Sequence, residues 1–137
     1  MNDDKRCLKG SDRRDVFKRF HKDINGSYYA SDLDLVLIAK YPPGIVAYLD
    51  YKTPWDTVSF SEVILYNEQS RIAPVYVIES ANPQTGPFRI SLFSTGDYRP
   101  HPPRVELELT TECQNWRELE AWEGRLRNRY QIEKKSV

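Results

Sequence analysis

Acidic residues and one lysine stand where two predicted strands are expected to meet. The first strand carries Asp32 and Asp34 directly ahead of an apolar run, and the second strand ends in Asp50 and Lys52 with Tyr51 between them. Because side chains alternate between the two faces of a strand, Asp32 and Asp34 share one face, and so do Asp50 and Lys52. If the strands pair across the intervening turn, up to three carboxylates and one ammonium group converge at the open end of the hairpin.

Converging carboxylates repel one another unless a cation lies between them. Oxygen ligands with few other donors suit Mg²⁺ or Mn²⁺. Lys52 beside such an ion would orient or help to deprotonate an attacking water and stabilise charge on a scissile phosphate. Asp50 lies in a strand that is otherwise suited to burial, so its charge requires compensation. A metal ion would provide it, and a structural ion pair with Lys52 is the alternative.

The order of predicted elements favours a mixed α/β fold without a regular alternation of strands and helices. Ser59 and Glu62 form a capping box, so a helix should begin there and run to about Arg71. Leu119, Trp122, Leu126 and Tyr130 form an apolar stripe at helical spacing in a final helix. The remaining predictions are a helix over residues 11–24 and strands over residues 28–38, 45–52, 75–78, 88–93 and 105–109.

Composition is consistent with one globular domain of 137 residues. Twenty basic and twenty acidic residues give a net charge of zero, which argues against strong nonspecific binding to nucleic acid. Residues 1–23 are the exception, with eight basic side chains against five aspartates. This basic segment could contact phosphates, and a solvated helix face is the alternative. Cys7 and Cys113 are too far apart for a zinc-ligand spacing, and we expect both to be reduced.

No apolar run approaches the length required to cross a membrane, and no apolar segment near Met1 resembles a signal peptide. We therefore expect no membrane partner and an intracellular, cytoplasmic location.

The two strands and their acidic residues resemble the active site of the PD-(D/E)XK nuclease superfamily. Its Asp, followed on the next strand by Asp/Glu-x-Lys, matches Asp34 (or Asp32), Asp50 and Lys52. The tripeptide occurs three times in this chain, and only Asp50-Tyr51-Lys52 ends an apolar strand that follows an Asp-bearing one. The resemblance covers roughly residues 12–80. It implies a restriction-endonuclease-like fold, in which helices flank a central mixed sheet, with a site for one or two Mg²⁺ or Mn²⁺ ions.

The resemblance also implies further site residues. The main-chain carbonyl of Tyr51 would complete the coordination begun by the aspartates. Members of the superfamily add a polar residue from a neighbouring helix. Glu62, Tyr66 and Gln69 share one helical face and are the candidates, with Tyr66 and Gln69 behind Glu62, although Glu62 has a competing role in the capping box. Trp55 follows the strand closely and could stack on a base.

Three functions follow from these observations. The leading hypothesis is a Mg²⁺-dependent nuclease that hydrolyses phosphodiester bonds of DNA, and a resolvase of this kind would be a homodimer. The second is a catalytically inactive module of the same fold that binds nucleic acid or protein. The third is an unrelated α/β binding protein whose acidic strands pair with basic neighbours and bind no metal.

Overall fold

The computed structural model describes residues 35–135, which lie within one compact unit. Five strands and two helices make up this part of the chain. The strands are β1 (Leu35–Lys40), β2 (Pro43–Lys52), β3 (Val75–Glu79), β4 (Phe88–Asp97) and β5 (Arg104–Cys113). The helices are α1 (Phe60–Gln69) and α2 (Trp116–Lys135). The predicted helix over residues 11–24 lies outside the described residues, as do Asp32, Asp34 and Cys7.

The five strands form one mixed sheet in the order β1-β2-β3-β4-β5. β2 and β3 are parallel and are joined through α1, whereas the other neighbouring pairs are antiparallel. A parallel pair requires a crossover connection, and α1 supplies it. The predicted mixed α/β class is therefore confirmed for residues 35–135, and the restriction-endonuclease-like arrangement stays a prediction.

Both helices begin directly after a capping residue, and for α1 the sequence predicts it. The Ser59 side chain accepts a hydrogen bond from the Glu62 main chain, and the Glu62 carboxylate accepts one from the Ser59 main chain, so the capping box is complete. Asn115 caps α2 by accepting a hydrogen bond from the Glu118 amide at 3.0 Å. These contacts satisfy amide groups that have no partner inside the helix.

The sheet has two faces, which we name after the helix that packs on each. The α2 face is covered by the predicted stripe of Leu119, Trp122, Leu126 and Tyr130, all buried. These side chains pack on apolar residues of the strands, among them Ala47, Leu49, Tyr76, Ile78, Phe88 and Ile90. The α1 face has a smaller core, formed by Tyr48, Tyr66, Ala73, Val75, Val77 and Phe93.

The last two strands are longer than predicted. β4 continues to Asp97 instead of ending at Phe93, and β5 continues to Cys113 instead of Leu109. The two strands pair along this whole length, with irregularities between Ile90 and Ser91 and between Phe93 and Thr95. Gly96 permits the extension, because a Cβ atom there would lie 2.8 Å from a Val63 methyl carbon of α1. The absence of a side chain thus lets the hairpin pack against the helix.

Two expectations from the sequence concern the oxidation state of the cysteines and the ability of a helix to cross a membrane. Cys113 is a buried free thiol, which agrees with the reduced state predicted for it. Neither helix in the described part of the chain is long and apolar enough to cross a membrane.

Candidate active site

The side chains of Asp50 and Lys52, in the last three residues of β2, point to the α1 face. Alternation along β2 separates them from Ala47 and Leu49, which belong to the core of the α2 face. The Lys52 ammonium nitrogen lies 3.4 Å from Asp50 Oδ2. Only 10% of the Lys52 side chain and 17% of the Asp50 side chain is exposed. The ion pair considered as an alternative from sequence is therefore present at this position.

Glu62 connects this strand end to α1 through both of its carboxylate oxygens. Oε1 accepts a hydrogen bond from the Ser59 amide at 2.9 Å, which is the capping contact. Oε2 accepts one from the Lys52 ammonium at 2.7 Å. The two roles that competed in the sequence are thus compatible, because each oxygen serves one of them. Glu62 holds Lys52 and begins the helix at the same time.

Tyr66, a weaker candidate than Glu62 from sequence, contacts Asp50. It lies one turn after Glu62 on the same side of α1, and its hydroxyl donates a hydrogen bond to Asp50 Oδ2. Only 2% of Tyr66 is exposed, so the contact is formed beneath the surface. The spacing of four residues from Glu62 is the only indication of this role in the sequence.

Gln69, the other candidate from α1, lies deeper in the fold. It is buried, with 7% exposed. No hydrogen bond joins its side chain to Asp50 or Lys52 in the described part of the chain. Its predicted contribution to the site stays a prediction without a supporting contact.

The electrostatics of the site favour a charged lysine. Burial alone would lower the pKa of Lys52, but the hydrogen bond to Glu62 and the attraction of Asp50 and Glu62 raise it above the ordinary value of 10.5. Two carboxylates facing one ammonium group account for this direction. Lys52 is therefore an ammonium ion at neutral pH, which suits it to stabilise negative charge.

A row of alternating charges extends from Lys52 across the sheet. Lys52 pairs in register with Glu79 on β3, Glu79 with Arg89 on β4, and Arg89 with Glu112 on β5. Residues paired in register point to the same face, so all four lie on the α1 face. Arg89 Nε is 3.5 Å from a Glu112 carboxylate oxygen, and 59% of the arginine side chain is exposed. We call these four residues the charged row.

The loop between β2 and α1 presents Trp55 to solvent. The residue is 71% exposed and follows directly after the strand that carries Lys52. Asp56 fixes the loop by accepting a hydrogen bond from the Thr53 amide at 2.9 Å. This bond is the main cause that lowers the pKa of the Asp56 carboxyl. The position predicted for a base-stacking residue is thus exposed and adjacent to the site.

The predicted metal ligands are only partly within the described residues. Asp50 is described, whereas Asp34 and Asp32 are not. Leu35, which follows Asp34 in the sequence, pairs with Leu49, which precedes Asp50. The carbonyl of Lys52 and the amide of Tyr48 bond toward β3, so the intervening Tyr51 carbonyl is directed toward the β1 side. Within residues 35–135, no group of three His, Cys, Asp or Glu side chains is placed to hold a metal ion.

Comparisons with known proteins leave the site to be judged on its geometry. No family model, no curated protein and no solved structure matches this chain.

Proposed function

We propose that the protein is a metal-dependent nuclease that hydrolyses phosphodiester bonds of DNA. One observation carries the proposal: a largely buried ammonium group, Lys52, shares a strand end and a face with the Asp50 carboxylate and is held there by Glu62. This arrangement places a fixed positive charge beside an oxygen donor at the point where β2 leaves the sheet. A transferring phosphoryl group requires both elements.

The donors at this strand end fit a hard divalent cation in chemical type. Asp50 supplies a carboxylate, the Tyr51 carbonyl is directed toward the β1 side, and Asp34 is the proposed second carboxylate, with Asp32 as the alternative. The register of Leu35 with Leu49 supports Asp34, since it is the neighbour of Leu35 in the sequence. When bound, Mg²⁺ or Mn²⁺ supplies a water of lowered pKa and polarises phosphate oxygens.

Lys52 has the role of an electrostatic group in this proposal. Its raised pKa keeps the ammonium charged at neutral pH, so it donates hydrogen bonds to a phosphate oxygen and stabilises the charge that develops there. Glu62 restricts the lysine side chain before the substrate binds. This preorganisation lowers the cost of bringing the ammonium to the reacting phosphate.

Two exposed residues near Lys52 are proposed to contact the rest of the substrate. Trp55 offers an aromatic face for stacking on a base, which tolerates any sequence. Arg89 offers a guanidinium group to a second phosphate. Strands are about 4.8 Å apart, so Arg89 lies about 10 Å from Lys52 along the charged row.

Cleavage of labelled single-stranded, duplex and four-way-junction DNA tests this function. We expect cutting with Mn²⁺ or Mg²⁺, no cutting with EDTA, and loss of cutting in Asp50→Asn. The matched control is Lys40→Ala, because Lys40 is exposed at the far end of the hairpin and should leave cutting unchanged. Absence of cutting on every substrate, together with absence of Mn²⁺ binding by calorimetry, would contradict the proposal.

The inactive binding module remains the second candidate because of one observation. Lys52 already contacts both the Asp50 and the Glu62 carboxylate, at 3.4 and 2.7 Å. Each carboxylate therefore has a cationic partner without a metal ion. Binding of nucleic acid without cleavage, and unaffected by EDTA, would support this candidate over the nuclease.

A further inference from the structure

Tyr66 is anchored in the core of the α1 face by its ring. The ring packs edge-on against Phe93 with 5.4 Å between the ring centroids, and 2% of the residue is exposed. A phenylalanine would fill the same space. The hydroxyl adds a polar group at a depth where its burial is unfavourable unless it forms a hydrogen bond. Its bond to Asp50 therefore requires an explanation beyond packing.

The Tyr66 hydroxyl and the Lys52 ammonium contact the same oxygen of Asp50. Tyr66 donates a hydrogen bond to Oδ2, and Lys52 Nζ lies 3.4 Å from that atom. Two contacts from different directions restrict rotation of the carboxylate about its Cβ–Cγ bond. Tyr66 is on a helix whose first turn is tied to Lys52 through Glu62, so its position is fixed relative to β2.

We propose that Tyr66 is a positioning residue that orients the Asp50 carboxylate for a divalent cation. The inference rests on the proposed function, since it assigns Tyr66 a role at the same site. Groups that hydrogen-bond to a metal-binding carboxylate determine its orientation, and their removal weakens metal binding. Tyr66 does this from α1, while Asp50 is carried by β2.

Calorimetric titration of Mn²⁺ into the full chain tests the inference without relying on cleavage. Tyr66→Phe keeps the ring and removes the hydroxyl, and we expect it to weaken Mn²⁺ binding at least about tenfold. Tyr48→Phe is the matched control, because Tyr48 is buried in the same cluster. Its hydroxyl has no hydrogen bond in the part of the chain that the structure describes, so the control should bind Mn²⁺ within about twofold of wild type.

Thermal denaturation provides the second measurement. The increase in Tm that Mn²⁺ produces should be smaller in Tyr66→Phe than in wild type and in Tyr48→Phe, because ligand stabilisation follows affinity. Wild-type affinity in Tyr66→Phe, with binding abolished in Asp50→Asn, would overturn the role of Tyr66 and leave the nuclease proposal intact. Absence of Mn²⁺ binding in the wild type would overturn both.

Discussion

The two faces of the sheet differ in what they bury. The α2 face buries an apolar core, in which Trp122 packs edge-on against Tyr76 with 5.0 Å between ring centroids. The α1 face also has an apolar core, but at the end of β2 it covers Asp50 and Lys52 as well. Strand β2 contributes side chains to both faces, since Leu49 points to the α2 face and Asp50 to the α1 face. Alternation along a single strand thus separates residues for stability from residues proposed for chemistry.

Each charged side chain of the cluster at the end of β2 on the α1 face has at least one ion-pair or hydrogen-bond partner. Lys52 contacts two carboxylates, Asp50 also accepts from Tyr66, and Glu62 also caps α1. Burial of charged groups without such partners is strongly unfavourable, and replacement by apolar residues is often neutral or stabilising. Stability alone therefore does not account for this cluster. Function is the explanation that we propose for it.

The largest expected effect is on the α2 face. Trp122 is buried, with 6% of the residue exposed, and we expect Trp122→Ala to lower the free energy of unfolding by about 4 kcal/mol. Urea denaturation measures this change. The cleavage rate per folded molecule should equal that of wild type. Tyr51 is the one proposed site residue whose side chain packs on this face, and it contributes only its main-chain carbonyl to the site. A lower cleavage rate per folded molecule would contradict the claim that residues for stability and residues for chemistry are on different faces.

Substitution of Glu62 distinguishes its role in capping α1 from its role in holding Lys52. Glu62→Gln keeps a side chain that completes a capping box, so its free energy of unfolding should change by less than about 1 kcal/mol. The charge that holds Lys52 is lost, and we expect cleavage to slow about tenfold because the ammonium is less well positioned.

Glu68→Gln is the control for that experiment. Glu68 is on the same helix and forms an exposed ion pair with Arg71 at 3.6 Å. It should change neither stability nor cleavage measurably, because exposed pairs contribute little. Equal cleavage by Glu62→Gln and Glu68→Gln would show that the Lys52 contact is structural only.

The pH dependence of stability should report the Lys52 ammonium. Its pKa is raised on folding, so the stabilisation is fully present below 10.5 and is lost as the pH rises through the folded-state pKa. We expect the difference in unfolding free energy between wild type and Lys52→Met to be constant from about pH 7 to 10 and to shrink above pH 10.5. Urea denaturation of both proteins at each pH measures it. A difference that shrinks below pH 9 would contradict the raised pKa.

The smallest expected effect is at Arg89. In an Asp50→Asn background, Arg89→Ala should weaken DNA binding about threefold to tenfold and reduce the salt slope by about one. Glu112→Gln should strengthen binding, because it removes the carboxylate beside Arg89. Arg71→Ala is the control, since Arg71 is also exposed and paired but follows the far end of α1. Equal effects of the two arginine substitutions would remove Arg89 from the proposed surface.

Local patterns in the sequence predicted the elements that depend on local interactions. The Ser59 capping box and the α2 stripe beginning at Leu119 are confirmed, because each is formed by residues within one or a few helical turns. The extent of β4 and β5 was predicted wrongly. Ser94, Thr95 and Gly96 are typical of a turn, but pairing with β5 overrides that preference.

The candidate site was predictable only in part, because its contacts are not local. Alternation placed Asp50 and Lys52 on one face, as the structure shows. The bond from Tyr66 to Asp50 spans 16 residues, and the charged row depends on the register of four strands. Neither can be derived from periodicity within one element. The predicted ligands Asp32 and Asp34 stay predictions, since they lie outside residues 35–135.

The central claim, that the charged cluster on the α1 face performs phosphodiester hydrolysis, is tested most directly by the single-turnover cleavage rate of Lys52→Met. The substitution keeps an unbranched side chain that is one atom shorter and removes the charge. With Mn²⁺ saturating and folding confirmed by thermal denaturation, we predict a rate at least about 100-fold below that of wild type. A rate within about threefold of wild type would contradict the account, because Lys52 would then stabilise no charge in the reaction.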